Sequence, residues 1–388
     1  MEFSANVARL EPSATLALAA RARELKSRGV PVIDLSAGEP RYPTPAYAAR
    51  AGIEAIEAGR TGYPPTPGLP DLRGAIARYL AETTRASDVS PGSIVVSAGV
   101  KQALFNCCFC LFGPGDEVVI PAPYWPSYPT IVELARATPV VVDSDWDSGF
   151  LVDPDRLEAA RTPRTRGLLL NSPGNPTGAV YDRAALTDIV AWCEHHGIWL
   201  LSDEIYRRLS YGEPAPSLFD VPEPCARGVL LDGVSKAFCM PGWRIGYAVG
   251  PPELLSRTAD LQGQTTSGAV GPSQEAAAAA LGRTDAREAF VRRLVSRLHG
   301  LRDRGVAALA QLDALDVRAP AGALYFYVRL RESGRSSMEV AEALLQEQAV
   351  ACVPGEPFGS PGHLRFNFAV EEAELEEGLQ RIRAFFGS

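Results

Sequence analysis

Lysine is scarce in this chain. Of 38 basic residues only Lys26, Lys101 and Lys236 are lysines, so arginine serves wherever a plain positive charge is enough. A retained lysine is then a candidate for chemistry that arginine cannot perform, because a lysine amine can lose its proton and act as a nucleophile. Lys236 follows an apolar run (VLLDGVSK), and Arg244 lies eight residues on. Asp203 ends another apolar run (IWLLSD), where a buried carboxylate is costly unless it meets a cation, and Tyr206 follows one turn later. Asn175 sits in the proline/glycine loop NSPGNPTG. In SAGVKQAL a glycine, Gly99, precedes a predicted helix whose first amides, at Val100 and Lys101, form an anion site. One anion site, one arginine, one nucleophilic lysine and one buried carboxylate are what a phosphorylated pyridine aldehyde requires.

The elements that must position these groups alternate between strand and helix. From residue 93 the chain reads SIVVSAG, a strand, then VKQALFNCCFCLF, a helix. DEVVIPAPYW, PVVVD, RGLLLN, IWLLSD, VLLDG and RIGYAVG follow as short apolar, often β-branched runs. Continuous rather than alternating apolar strands predict a mostly parallel sheet buried on both faces by helices. In such sheets ligands bind at the carboxyl ends of the strands, where the unusual residues gather. Before this region, residues 13–29 read as an amphipathic helix with Leu16, Ala19, Ala20 and Leu25 near one face, and Lys26 reads as a solvated charge near its end. VPVIDL is a short strand, and a helix starts at about Leu69. After about residue 285 an Arg-rich helix, the strand ALYFYVRL, another helix, AVACVPG and HLRFNFAV form a smaller α+β unit. The predicted organisation is a large domain over 44–285, a small domain from 13–43 and 286–388, and an N-terminal arm over 1–12.

Bulk properties remove several classes of function. The 388 residues suit two domains. A net charge of −8 makes nucleic acid and anionic lipid poor partners. No basic-then-apolar leader opens the chain, and the longest strongly apolar stretch, Ala103 to Phe112, is too short to span a membrane. Seven cysteines in no disulfide pattern predict reduced thiols in a cytoplasm. The CCFC cluster lies in an apolar helical run and reads as core. The four histidines match no metal motif, and His195 and His196 before Gly197 read as a helix C-terminus. No metal is expected.

The strings AGEP, KQALF, PYWPSYP, NPTG, SDEIY, SKAF, GWRIGY and LRFNFA occur in this order, and in this the chain resembles the class I/II aminotransferases, the branch containing bacterial aspartate aminotransferases. Any one string is moderately specific; eight in order over nearly the whole chain are highly specific. The resemblance implies fold type I, pyridoxal 5′-phosphate (PLP), amino acid and 2-oxo acid substrates, and a homodimer with shared active sites. It implies that Lys236 holds PLP as a Schiff base and moves the substrate α-proton, that Asp203 pairs with the pyridine nitrogen, and that Tyr206 and Asn175 bond the ring hydroxyl. Trp125 would stack on the ring. Arg244, Ser235, Gly99 and the amides of Val100 and Lys101 would serve the phosphate, and Tyr63 would reach the phosphate of the neighbouring subunit. Arg365 would bind the substrate carboxylate beside the Gly38 backbone, with Trp125 and Asn175 also touching substrate.

Taken singly these residues have plain alternatives. Asp203 could be a helix N-cap, Tyr206 and Trp125 core aromatics, Arg365 a surface pair partner, Gly38 only a turn, and the Lys101 side chain a surface group. Several positions depart from the family pattern. Gly233 stands where a phosphate-binding Ser is common, with Ser235 or backbone amides to compensate. Arg41 and Gly174 replace an acidic residue and an Asn, Arg41 adding a cation near the expected mouth, while Cys239 and Pro241 are also unusual. Amino transfer is the leading function. The alternative is a lyase or synthase of the same fold performing β/γ-elimination, replacement or C–C bond formation, and a non-catalytic binding protein is the third.

Overall fold

The computed structural model describes residues 4, 7, 14–86, 89–331 and 334–387. In chain order its strands are β1 (Ile33–Asp34), β2 (Ile94–Ser97), β3 (Glu117–Ala122), β4 (Thr138–Asp143), β5 (Thr165–Asn171), β6 (Trp199–Asp203), β7 (Gly228–Gly233) and β8 (Gly246–Val249). They continue with β9 (Leu315–Val317), β10 (Tyr325–Leu330), β11 (Val350–Ala351), β12 (Val353–Pro354) and β13 (His363–Asn367).

The apolar runs assemble as the main sheet in the order β2-β8-β7-β6-β5-β3-β4, in which only β8 runs against the others. Parallel strands need crossovers: the helices Ser127–Leu134 and Arg183–His196 join the neighbours β3–β4 and β5–β6, while Val100–Leu111 and Pro154–Ala160 link β2 to β3 and β4 to β5. They cover both faces. Leu168 and Leu170 of β5 pack with Ile189 and Cys193 on one side, whereas Leu169 joins Leu201 in the core of the other. Every residue of β2, β7 and β8 is buried. The expectation of two-sided burial fails for PVVVD, because β4 is the sheet edge and most of it is exposed or half-buried.

A second, antiparallel sheet, β12-β13-β10-β9, is flanked by the helices Thr284–Leu309, Ser337–Gln348 and Glu372–Phe386. β1 pairs in parallel with β11, tying residues 33–34 to 350–351. The first helix runs over Ala14–Ser27, and Gly29 takes φ +84° after it. Its apolar face differs from the expected one. Ala20 is exposed, while Ala22 is buried with Val32, Leu345 and Ala351 and Leu25 packs alongside. The packing of Leu16 and Ala19, and the expected arm over 1–12 apart from Ser4 and Val7, lie outside the described residues.

Lys26 is exposed, and His195 and His196 do close a helix capped by left-handed Gly197. Of the CCFC cluster Cys107 and Cys108 are core, their thiol pKa values pushed up by burial, whereas Cys110 is half-buried and Phe109 is exposed, on the outer side of the helix. No helix among the described residues is long and apolar enough to cross a membrane.

Candidate active site

The like-directed strands of the main sheet bring their C-terminal ends to one edge, and a cavity of about 590 Å³ opens there. Its lining includes Gly38, Val100, Lys101, Trp125, Asn175, Asp203, Tyr206, Ser235, Lys236, Arg244 and Arg365. Eleven residues nominated from the sequence thus converge, although they span more than 300 positions. Gly99 does not line the cavity but closes against Arg244. Tyr63 points elsewhere: it is 96% exposed, on a separate surface hollow with Arg60, Gly271 and Glu275.

Lys236 follows the end of β7 and its Nζ donates to the Gly38 carbonyl at 2.5 Å. Its pKa is lowered from 10.5 to about 8, chiefly because burial disfavours the ammonium. Arg365 and Arg244 add to the effect, and Glu39 and Asp203 oppose it. A buried amine with this pKa is in large part the neutral nucleophile near pH 8.

Asp203, the last residue of β6, is buried, and burial raises its pKa to about 6. It is not a helix N-cap. Its carboxylate accepts the Tyr128 hydroxyl at 2.7 Å and the Ile205 N–H at 3.2 Å, both neutral donors. A cation placed against it would supply the stabilisation that these bonds lack.

Arg365 projects from β13 and is 4% exposed. Its Nη1 donates to Asn175 Oδ1 at 2.9 Å and its Nη2 to the Ser36 carbonyl at 2.7 Å, while its buried Nε has no hydrogen-bond partner. The guanidinium lies 4.4 Å from the Tyr325 ring centre and 5.1 Å from that of Phe358. A buried guanidinium whose partners are neutral is not a surface ion pair; it is a charge in need of a carboxylate. Because a guanidinium only donates, the Asn175 atom facing it is the amide oxygen, which leaves the Asn175 NH₂ free to donate.

At the other end of the cavity, Gly99 caps the helix Val100–Leu111 with φ +87° and ψ 163°. A Cβ there would lie 2.3 Å from Arg244 Nη2, so only glycine lets the guanidinium close over the helix start. The first amides of a helix have no intrahelical acceptor, and the helix dipole adds to their pull on an anion. Arg244 is exposed, held in a left-handed conformation (φ 55°), and donates to the carbonyls of Pro241 (2.8 Å) and Ala98 (3.3 Å). Lys101 extends over Trp125 with Nζ 4.7 Å from the ring centre. Its pKa is lowered by burial and then by Arg244.

The departures from the family pattern acquire physical roles. A Cβ at Gly233 would come within 2.7 Å of the Ile245 carbonyl and 2.9 Å of Gly246 Cα, so β8 packs where a serine would project; Ser235 is the hydroxyl on the cavity. Pro241 opens the tight turn that presents Arg244, and the Cys239 carbonyl accepts from Thr44. A Cβ at Gly174 would meet Thr177 Oγ1 at 3.0 Å. Arg41 is a correction. It is no free cation at the mouth, because Glu374 (2.6 Å) and Asp34 (3.3 Å) neutralise it and it lines no part of the cavity.

Sequence reasoning missed four residues that shape the site. Tyr128 bonds Asp203, and Asn171 donates to the Asp203 carbonyl at 2.8 Å and accepts from the Asn175 N–H at 2.8 Å. Buried Asn367 holds the 36–39 loop through the carbonyls of Ala37 (2.7 Å) and Glu39 (2.8 Å). Tyr325 shares a 2.7 Å hydrogen bond with Tyr206. The aromatic alternation YFY, with its outer tyrosines on the face that carries Arg365, was the available signal.

A mostly parallel sheet with helices on both faces, a smaller antiparallel domain and a cation- and carboxylate-lined cavity at the strand ends define a fold type I transferase. The aminotransferase class I and II family model matches residues 30–382. The chain is 39% identical to an aspartate aminotransferase of Streptomyces avermitilis, over 98% of this chain and 95% of that one. It is 40% identical to an aspartate/prephenate aminotransferase of Cereibacter sphaeroides, over 99% and 98%. A Thermus thermophilus aspartate aminotransferase solved with maleate superposes with a TM-score of 0.95 at 38% identity, covering 99% of this chain and 100% of that one. The chain belongs to the class I and II aminotransferases. Its reaction is the transfer of an amino group between an amino acid and a 2-oxo acid, and these relatives favour that reading over the lyase and synthase alternatives.

Proposed function

We propose that this aminotransferase carries PLP on Lys236 and prefers acidic amino acids, aspartate or glutamate, with the matching 2-oxo acids. The observation that supports the preference is a cavity with two separate cations for carboxylates, buried Arg365 and Lys101 over Trp125. A substrate with two carboxylates satisfies both. The relatives named for aspartate agree with this reading.

The residues fit the cofactor. Buried Asp203, bonded only by neutral groups, matches a protonated pyridine nitrogen. Tyr206 and the free NH₂ of Asn175 suit the ring oxygen, and Trp125 the ring face. The amides of Val100 and Lys101, with Ser235 and Arg244, form the phosphate end. Bound PLP supplies an electron sink and a temporary carrier of the amino group. The chain does the rest. Arg365 would fix the α-carboxylate, Gly38 and Asn367 would shape the floor, and Lys236 Nζ would take the proton from the substrate Cα. Tyr63, 96% exposed on the hollow with Gly271, would be covered by a second copy and would reach that copy's phosphate.

Two experiments test the reading. Adding aspartate to purified holoenzyme with no oxo acid should convert the bound cofactor to pyridoxamine phosphate, read by absorbance; release of ammonia instead would defeat it. Lys101→Ala should raise KM for aspartate and glutamate about fivefold, as expected for a partly exposed ion pair, and leave alanine unaffected. An equal change for alanine would remove the distal-carboxylate role. Separately, recombination of apoenzyme with PLP requires the neutral Lys236 amine. Its rate should rise with pH through a midpoint near 8, and a rate still climbing above about pH 10, the range of an ordinary lysine, would contradict the lowered pKa.

A further inference from the structure

The segment from Lys236 to Arg244 is wound in a way that ordinary residues disfavour. Cys239 (φ 51°) and Arg244 (φ 55°) are both left-handed, with the tight turn Pro241–Trp243 between them. A residue with a side chain rarely takes that conformation, and it persists where its surroundings impose it. Here the surroundings come from far away in the chain. Thr44, 195 residues before Cys239, donates from Oγ1 to the Cys239 carbonyl at 3.1 Å. The same oxygen accepts the Trp243 Nε1 proton at 3.0 Å. A hydroxyl can do both at once, so Thr44 staples the two ends of the turn. Gly52, buried on the helix Ala46–Glu57, completes the seat. A Cβ there would lie 2.7 Å from Trp243 Cζ3 and 2.9 Å from Cη2, so the indole packs flush on the helix because residue 52 is glycine. Neither Thr44 nor Gly52 lines the cavity.

We propose that Thr44 and Gly52 are positioning residues for Arg244: they seat Trp243, and through it aim the adjacent guanidinium at the phosphate end of the cavity. The proposal rests on the phosphate role given to Arg244 under the proposed function.

Arg244 follows Trp243 directly, so a shift of the indole turns the Arg244 backbone with it. The guanidinium is exposed, and its bonds to the carbonyls of Pro241 (2.8 Å) and Ala98 (3.3 Å) are ones that water can replace. A long side chain that must be ordered at the moment of binding loses affinity for its ligand. A staple that fixes the backbone beneath it removes part of that cost. Lys236 depends on the staple less, because it follows β7 and its amine rests on the Gly38 carbonyl. The staple should therefore govern the phosphate end of the cavity and leave the lysine end nearly unchanged.

The test compares PLP with pyridoxal, which lacks the phosphate, for binding to apoenzyme by equilibrium dialysis. Thr44→Val keeps the shape of the side chain and removes both hydrogen bonds. It should weaken PLP about tenfold and pyridoxal by less than about twofold. Thr44→Ser keeps the hydroxyl and should hold PLP to within about twofold of wild type. Gly52→Ala pushes on Trp243 while placing a better helix former in its helix, and it should lower the preference for PLP over pyridoxal in the same direction. It decides the matter if Thr44→Val does not fold. In an Arg244→Ala background Thr44→Val should add nothing, since the staple acts through that side chain. Equal weakening of both ligands, unchanged PLP affinity in Thr44→Val and Gly52→Ala, or full additivity with Arg244→Ala would overturn the staple alone. If Arg244→Ala binds PLP as wild type does, the phosphate assignment falls and the staple with it.

Discussion

Lys236→Ala should abolish the covalent hold on PLP and lower the amino-transfer rate by at least about 10⁴-fold. On the proposed reading two functions vanish together, the nucleophile that would anchor the cofactor and the base that would move the Cα proton. Among the described residues Lys101 is the only other amine on the cavity. It stands over Trp125, away from the Gly38 carbonyl that receives Lys236 Nζ. The phosphate end is untouched in the variant, so PLP should still bind, reversibly, through Arg244 and the first amides of Val100–Leu111. Borohydride treatment followed by peptide mass spectrometry separates the possibilities cleanly, because only three lysines exist to be labelled. Wild type should carry the reduced adduct on the peptide containing Lys236, and the variant none. An adduct that persists, or that appears on Lys101 in wild type, would place the anchor elsewhere.

The scarcity of lysine makes this residue legible in the sequence, and the continuous apolar strands make the sheet legible with it. Groups at the ends of parallel strands must share one edge, so Asp203, Asn175, Lys236 and the Gly99 turn come together without a single distance being known. What the sequence conceals are contacts set by tertiary packing across long separations. Tyr128 reaches Asp203 over 75 residues, Tyr325 reaches Tyr206 over 119, and Asn367 reaches Ala37 over 330. The same blindness misjudges Arg41, whose charge looks free in the sequence until Glu374, 333 residues away, folds against it. The first helix shows a finer failure. Alanines at 20 and 22 are equally apolar, and only the packing of Val32, Leu345 and Ala351 selects the second. β4 misleads for a related reason, since a strand's composition does not say whether it will be central or at the edge.

Arg365→Ala should raise KM for every amino acid and every 2-oxo acid by about 10²- to 10³-fold, with a smaller change in kcat. Both substrate classes carry the carboxylate that the proposed reading assigns to Arg365, so both half-reactions should suffer alike, unlike the side-chain-selective effect expected of Lys101. The magnitude follows from losing two charge-assisted hydrogen bonds, each worth about 1.5–3 kcal/mol, less the recovery from solvent entering the gap, at about 1.4 kcal/mol per decade. Burial makes the loss large. At 4% exposure, with Asn175 and the Ser36 carbonyl as neutral partners, the guanidinium gains little from its surroundings and correspondingly much from a carboxylate. Arg365→Lys separates charge from shape. A lysine restores the positive charge but not the planar fork, nor the stacking over Tyr325, so it should recover only part of the affinity. Full recovery would show that charge alone suffices and that the fork is incidental. An unchanged KM in Arg365→Ala would mean that the substrate carboxylate is held elsewhere, which would leave a buried, half-satisfied arginine with no ligand to account for it.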